Sequence, residues 1–117
     1  MDVAIKSAAA GLSEFVSTGA PPADARHRAA IAVCDTIGVI LAGAPEPAAR
    51  IARTVVGADG DGPCRVLGTS SSASAADAAL LNGVAAHALD FDDMCFVSLA
   101  HPSCLVMGSQ KAGTTTA

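Results

Sequence analysis

The sequence has no tryptophan and no tyrosine, and aromatics make up only 3% of its 117 residues. A ring-stacked core is thereby excluded. The core must come from the Ala, Val, Leu and Ile that dominate a 51% hydrophobic content, and such small side chains suit closely approaching helices. Charge is scarce too, at 15% against about 25% in an ordinary soluble domain. The expectation is one domain over residues 1–117 that has more of its surface covered than a free monomer would. With a formal net charge of -4 and no cluster of Lys and Arg, the chain lacks the concentrated positive charge that nucleic acid requires.

Other absences narrow the chemistry. Cys34, Cys64, Cys95 and Cys104 form no CxxC pair and no zinc-site spacing, which points to reduced thiols in a cytoplasmic protein. The start, MDVAIKSAAAGLSEFV, has no basic stretch leading into an unbroken apolar one, so it does not read as a signal peptide. The most apolar segment, Ala29 to Ala44, carries Asp35 at its centre and falls short of the roughly 20 residues a bilayer span needs. It reads as a buried helix, with no membrane partner. There is no GxSxG, and no cysteine stands in a local acid and base arrangement. GADGDG lacks the Lys and Ser/Thr of a phosphate loop.

Periodicity and punctuation predict helices over residues 3–18, 23–43, 46–57 and 74–89. In the first, Ile5, Ala8, Ala9, Leu12, Phe15 and Val16 share one side. The second is apolar nearly all round, so neighbours should cover it. GADGDGP reads as a turn, CRVLG as one short strand without an evident partner, and TSSSASAAD as a loop. Ser74, with Asp77 three residues on, makes a capping-box-like start to the fourth helix. Gly83 inside that helix suggests a close backbone or ligand contact. No sheet of three or more strands is expected, and the fold class is all-α.

The chemistry-bearing cluster is Asp90, Asp92 and Asp93, just after His87 and eleven residues before His101. Carboxylates held close raise one another's pKa, and a carboxyl beside an imidazole can exchange protons near neutral pH. Two plainer readings stand beside this one: the acids cap helix ends, or they are solvated in a loop. A divalent cation is a third, chemically allowed by carboxylates plus imidazole but without any recognised loop spacing. Pro102 holds the chain extended at His101, and Ser103 is placed to cap a following helix. His27, between two arginines, reads as a surface residue, and His87, on an Ala-rich helix, as a core histidine.

The run NGVAAHALDFDDMCFVSLAHPS, Asn82 to Ser103, resembles the most recognisable motif of the MmgE/PrpD family of 2-methylcitrate dehydratases and cis-aconitate decarboxylases. CDTIGVILAGAPEPAA resembles the second-helix motif of the same family. The resemblance covers residues 3 to 106 and fails beyond Leu105, where VMGSQKAGTTTA replaces the expected apolar helix. It implies the helical N-terminal portion of the family's main domain, truncated, with the lid domain absent. It further implies a lyase without cofactor or metal, a small polycarboxylate substrate and a homodimer or other self-association. The family motif assigns the pocket to Asp90 and His101 as catalytic groups, with Met94 and Ser103 beside them on the substrate. Met94 stands where the decarboxylases have Thr, and the spacing to the histidine is one residue longer, so a dehydratase is favoured over a decarboxylase. The family also draws a Lys and a second His from later segments, and Lys111 does not match that position. This chain alone is therefore expected to be inactive. The alternatives are a noncatalytic helical interaction module and an isomerase or decarboxylase relative.

Overall fold

Prolines and glycines divide this chain into helices. The computed structural model describes residues 7–57 and 62–107, and within them lie five helices and one two-stranded antiparallel hairpin. Helix α1 (Ala8–Thr18) begins where the Ser7 hydroxyl accepts a hydrogen bond from the Ala10 N–H, which satisfies one of the unpaired donors of a helix start. The first residues of the expected helix lie outside the described ones. Helix α2 (Ala23–Gly43) has the predicted bounds. Helix α3 (Pro47–Val56) opens on a proline, where no N–H is needed, and stops at Gly57 with φ 68°. Helix α4 (Ala75–His87) starts at Ser74, whose hydroxyl accepts from the Asp77 N–H and donates to the Asp77 carboxylate. Helix α5 (Pro102–Met107) completes the series.

The short strand expected in CRVLG does have a partner. Strand β1 (Cys64–Arg65) pairs with β2 (Ser72–Ala73) in the register Cys64 to Ala73 and Arg65 to Ser72. The second strand lies in the segment read as a loop, because two Ser/Ala residues carry no alternating pattern to betray it. Most of the acidic GADGDGP turn falls outside the described residues.

Helix α4 is the hub, packed against α2, α3, α5 and both strands. One apolar cluster joins Ile40, Ala49, Ala85, Ala86 and Cys104; a second joins Cys64, Val66, Ala73, Ala78 and Leu81. Burying a side chain such as Ile40 contributes about 2 to 3 kcal/mol, and the many alanines let the helices approach closely. Helices α2 and α4 approach closely at Gly43, where an added Cβ would overlap the carbonyl oxygen of Ala85. Gly83, expected to be the close contact, meets only the Cys104 carbonyl oxygen, at an ordinary 3.5 Å.

Asn82 fastens the hairpin to this hub. Its side chain is buried, 1% exposed; Oδ1 accepts from the Leu67 N–H at 2.9 Å and Nδ2 donates to the Arg65 carbonyl at 3.0 Å. Arg53 donates to the Ala44 carbonyl at 2.8 Å, satisfying an oxygen beyond the end of α2. The expectation that neighbours would cover α2 all round is corrected: only Thr36, Ile40 and Gly43 are buried, and Ile31 and Leu41 stay exposed. Helix α1 likewise has its apolar residues at helical spacing but buries none of them. Among the described residues no single helix is long and apolar enough to cross a membrane.

Candidate functional site: an aspartate between two imidazoles

His87 is the last residue of α4, and the chain reverses directly after it. Asp90 takes the left-handed conformation, φ 55°, which Asp tolerates better than most residues, and its N–H donates to the His87 carbonyl at 3.1 Å. The reversal brings Asp92 back against His87, five residues earlier in sequence. A small turn follows, closed by the Cys95 N–H donating to the Ala100 carbonyl at 2.8 Å. The chain thus returns to His101 at the start of α5.

Asp92 is consequently placed between two histidines. Its Oδ1 lies 3.1 Å from His87 Nδ1, and its Oδ2 lies 3.2 Å from His101 Nδ1. The Asp92 side chain is 1% exposed, against 51% for His87 and 23% for His101. The rings meet edge to face with centroids 4.5 Å apart. The two contacts are not equivalent. His87 makes a hydrogen bond to the carboxylate, whereas His101 Nδ1 is buried within ion-pair distance but off the line that a hydrogen bond requires. Burial by itself would raise the Asp92 pKa. The hydrogen bond from His87, a backbone N–H and the two nearby imidazoles outweigh burial and hold the carboxyl below its ordinary value.

The three neighbouring acids have three different surroundings. Asp90 is exposed on the turn, and a carboxylate oxygen from each of Asp90 and Asp92 and a ring nitrogen from each of His87 and His101 lie within 4.8 Å of one another. Asp92 is enclosed. Asp93 Oδ1 accepts from the Ser103 N–H at 3.0 Å and so caps α5. The helix-cap reading of the cluster therefore fits Asp93, whereas the expectation that crowding raises a carboxyl pKa is corrected at Asp92, whose hydrogen bond and neighbouring imidazoles hold it below its ordinary value.

The expectations for single residues fare differently. His27 is exposed, as expected. His87 is not a core histidine: it stands at the end of its helix, half exposed, because the returning turn meets it there. Ser103 does not cap α5, since the helix begins one residue earlier at Pro102 and Asp93 supplies the cap. Asp90 and His101 come together, but Met94 is 42% exposed and is absent from the walls of the cavity beside the cluster. All four cysteines are free thiols. Burial, reinforced by Asp92 and Asp93, pushes the Cys104 thiol up, which makes it a poor nucleophile.

That cavity, about 550 Å³, lies between α4 and α5 and is lined by Leu80, Gly83, Val84, His87, His101 and Cys104 among others. Apart from the two imidazoles and the thiol its walls are aliphatic. An apolar pocket with a few convergent titratable groups is the usual form of a small-molecule site. Two imidazoles and two carboxylates are also a donor set acceptable to a divalent cation. Both oxygens of Asp92 are already turned toward imidazole nitrogens, so a cation would have to displace the contact that organises the cluster.

The sequence places Asp92 and His87 in the cluster but assigns the pocket to Asp90 and His101, and the pairing of Asp92 with His87 is what it does not show. The signal available was the His87 to Asp92 spacing across a turn, which no helical periodicity reveals.

No curated protein and no solved structure matches the chain. One family model does, described as the MmgE/PrpD N-terminal domain, over residues 10–114. The match continues past Leu105, correcting the expectation that the resemblance ends there. It spans most of the sequence, including the whole segment from Asn82 to Ser103 that builds the cluster, and on that ground the chain belongs to the MmgE/PrpD family and carries its N-terminal, largely helical domain.

Proposed function

We propose that this chain supplies the acid–base side of an elimination site in a lyase of the MmgE/PrpD family, acting as a 2-methylcitrate dehydratase-like enzyme on a small polycarboxylate. The observation that supports this most is the convergence of Asp90 and His101 with His87 and Asp92 beside an apolar cavity. Dehydration removes a proton next to a carboxylate and expels hydroxide from the adjacent carbon, so it needs one base and one acid. His101 exchanges the proton or holds a substrate carboxylate. Asp90, exposed at the turn, orients the substrate hydroxyl or His101. A homodimer and a cytoplasmic location belong to the same proposal.

The test uses a full-length relative with the same motif, assayed against 2-methylcitrate, citrate and cis-aconitate. Substituting Ala at the positions of His101 and Asp90 should each lower turnover on the order of 100-fold, since a positioned acid or base contributes about 10² to 10⁴. His27→Ala is the control and should do little. Parent-like activity in both site variants would overturn the assignment. It would favour the second reading, a noncatalytic interaction module, which draws its support from the uncovered apolar residues Leu12, Phe15 and Val16 on α1. The 117-residue chain alone should show no dehydration, because the Lys and second His expected from the family motif are not among its matched residues, and a constellation missing members loses most of its rate.

A further inference from the structure

We infer that Asp92 is a positioning residue that holds His87 and His101 as a matched pair, each with Nδ1–H toward the carboxylate and Nε2 free, and that His87 is thereby a second acid–base group of the cavity. The inference rests on the elimination site proposed above but goes beyond it, since that site uses Asp90 and His101.

The geometry carries the assignment. A neutral imidazole has one N–H and one lone pair, and the group facing Nδ1 selects between the two tautomers. Facing Nδ1 of both rings is the same buried carboxylate, at 3.1 and 3.2 Å. An ionised carboxylate only accepts hydrogen bonds, so a lone pair at either Nδ1 would be set against negative oxygen. At His101 the contact is electrostatic rather than a hydrogen bond, but its Nδ1 is buried with no other partner, so a lone pair there would face Oδ2 at 3.2 Å with nothing to offset the repulsion. With Nδ1 engaged, Nε2 is the proton-exchanging atom on both rings, and both rings line the same cavity.

The pair has a charge consequence. With one proton added, the cluster holds one imidazolium, one neutral imidazole and one carboxylate, and these three are electrically neutral together. The state contains an acid and a base at once, which is what dehydration asks for. The neutral imidazole takes the proton from the carbon next to the substrate carboxylate at Nε2, the C–H electron pair becomes the new C=C bond, and the C–O bond breaks. The imidazolium gives its Nε2 proton to the departing hydroxide, which leaves as water. One proton has been gained and one lost, so the cluster ends with the charge it began with, the imidazolium having moved from one ring to the other.

The test reads tautomers directly and needs no substrate, so its failure is distinct from failure of the proposed activity. In the 117-residue chain labelled with ¹⁵N-histidine, long-range ¹H–¹⁵N correlation spectra are recorded about two units above the ordinary imidazole pKa of roughly 6.5. His27, exposed to water, serves as the internal reference and should be mainly Nε2–H. His87 and His101 should be mainly Nδ1–H. Asp92→Asn, with helix content checked by circular dichroism, should move both toward the reference balance, while Asp93→Asn should not. If His87 and His101 in the parent spectrum show the same balance as His27, the inference is wrong, and that result stands whether or not the Asp92 variant folds. Equimolar zinc that broadens or shifts the Nδ1 signals of both rings would also overturn it, by making those nitrogens metal ligands.

Discussion

Replacing Asn82 by Ala tests whether the hairpin is held to α4 by one side chain. The amide of Asn82 makes hydrogen bonds to hairpin backbone, at the Leu67 N–H and the Arg65 carbonyl. Each is worth about 1 kcal/mol net, and a partly buried partner left unpaired costs roughly another 0.5 to 1. The loss should therefore be about 3 kcal/mol, a large share of the 5 to 15 kcal/mol typical of whole domains, and should lower the melting temperature by roughly 10 °C. Urea denaturation followed by circular dichroism is the assay. The midpoint should fall with the slope unchanged, because the surface exposed on unfolding is the same. Asn82→Asp sharpens the result. It keeps the acceptor for Leu67 but sets a second carboxylate oxygen against the Arg65 carbonyl, so at neutral pH it should be at least as damaging as Ala. A loss below about 0.5 kcal/mol for Asn82→Ala, within the range of ordinary surface changes, would refute the view that this side chain joins the two parts.

Gly43 and Gly83 should respond oppositely. Gly43→Ala forces a methyl group into the Ala85 carbonyl and should destabilise by about 1 to 3 kcal/mol, whereas Gly83→Ala meets only ordinary contact and should gain up to about 1 kcal/mol in helix propensity; thermal denaturation of both variants decides. Asp92 has a folded pKa below its unfolded value, so its contribution to stability is complete above about pH 4 and is lost as pH falls through the lower, folded value. Asp92→Asn should flatten that part of the stability profile, measured by urea titration between about pH 2 and pH 5, and an unchanged slope would argue against the ion-pair geometry. Asp93→Ala should remove the cap of α5 and cost about 1 kcal/mol, with the His87 and His101 signals left in place.

How far the sequence shows this structure depends on what kind of physics sets each part. Helices bounded by proline, glycine or a capping serine are local events, and α2, α3 and α4 lie within a residue or two of their expected bounds. The β1 and β2 pairing is not local. The hairpin it forms is tied to α4 by Asn82, fifteen and seventeen residues from its backbone partners, and nothing in Ser72 and Ala73 themselves announces a strand. Helix coverage is not legible for a related reason: the apolar stripes of α1 and α2 are visible in the sequence, but a stripe states only that a surface can be buried, and here much of it is not.

The candidate site divides along the same line. Its chemical identity was legible, since acids between two histidines were singled out from residue type and spacing alone. The assignment of roles among Asp90, Asp92 and Asp93 was not, because it turns on one backbone torsion. With Asp90 at φ 55°, the chain folds back so that Asp92 reaches His87 and His101 while Asp93 reaches the start of α5. An extended residue at position 90 would carry both acids away from α4 and leave the imidazoles without their shared carboxylate. The exposed Asp90 thus shapes the site through its backbone as well as through its side chain. Asp90→Gly, which permits the same torsion, should keep the His87 to Asp92 contact and remove only the Asp90 carboxylate. Asp90→Val, β-branched and strained at positive φ, should remove both. Comparing the two variants by the histidine tautomers separates the role of the carboxylate from that of the turn, and indistinguishable spectra would show that the turn does not organise the cluster.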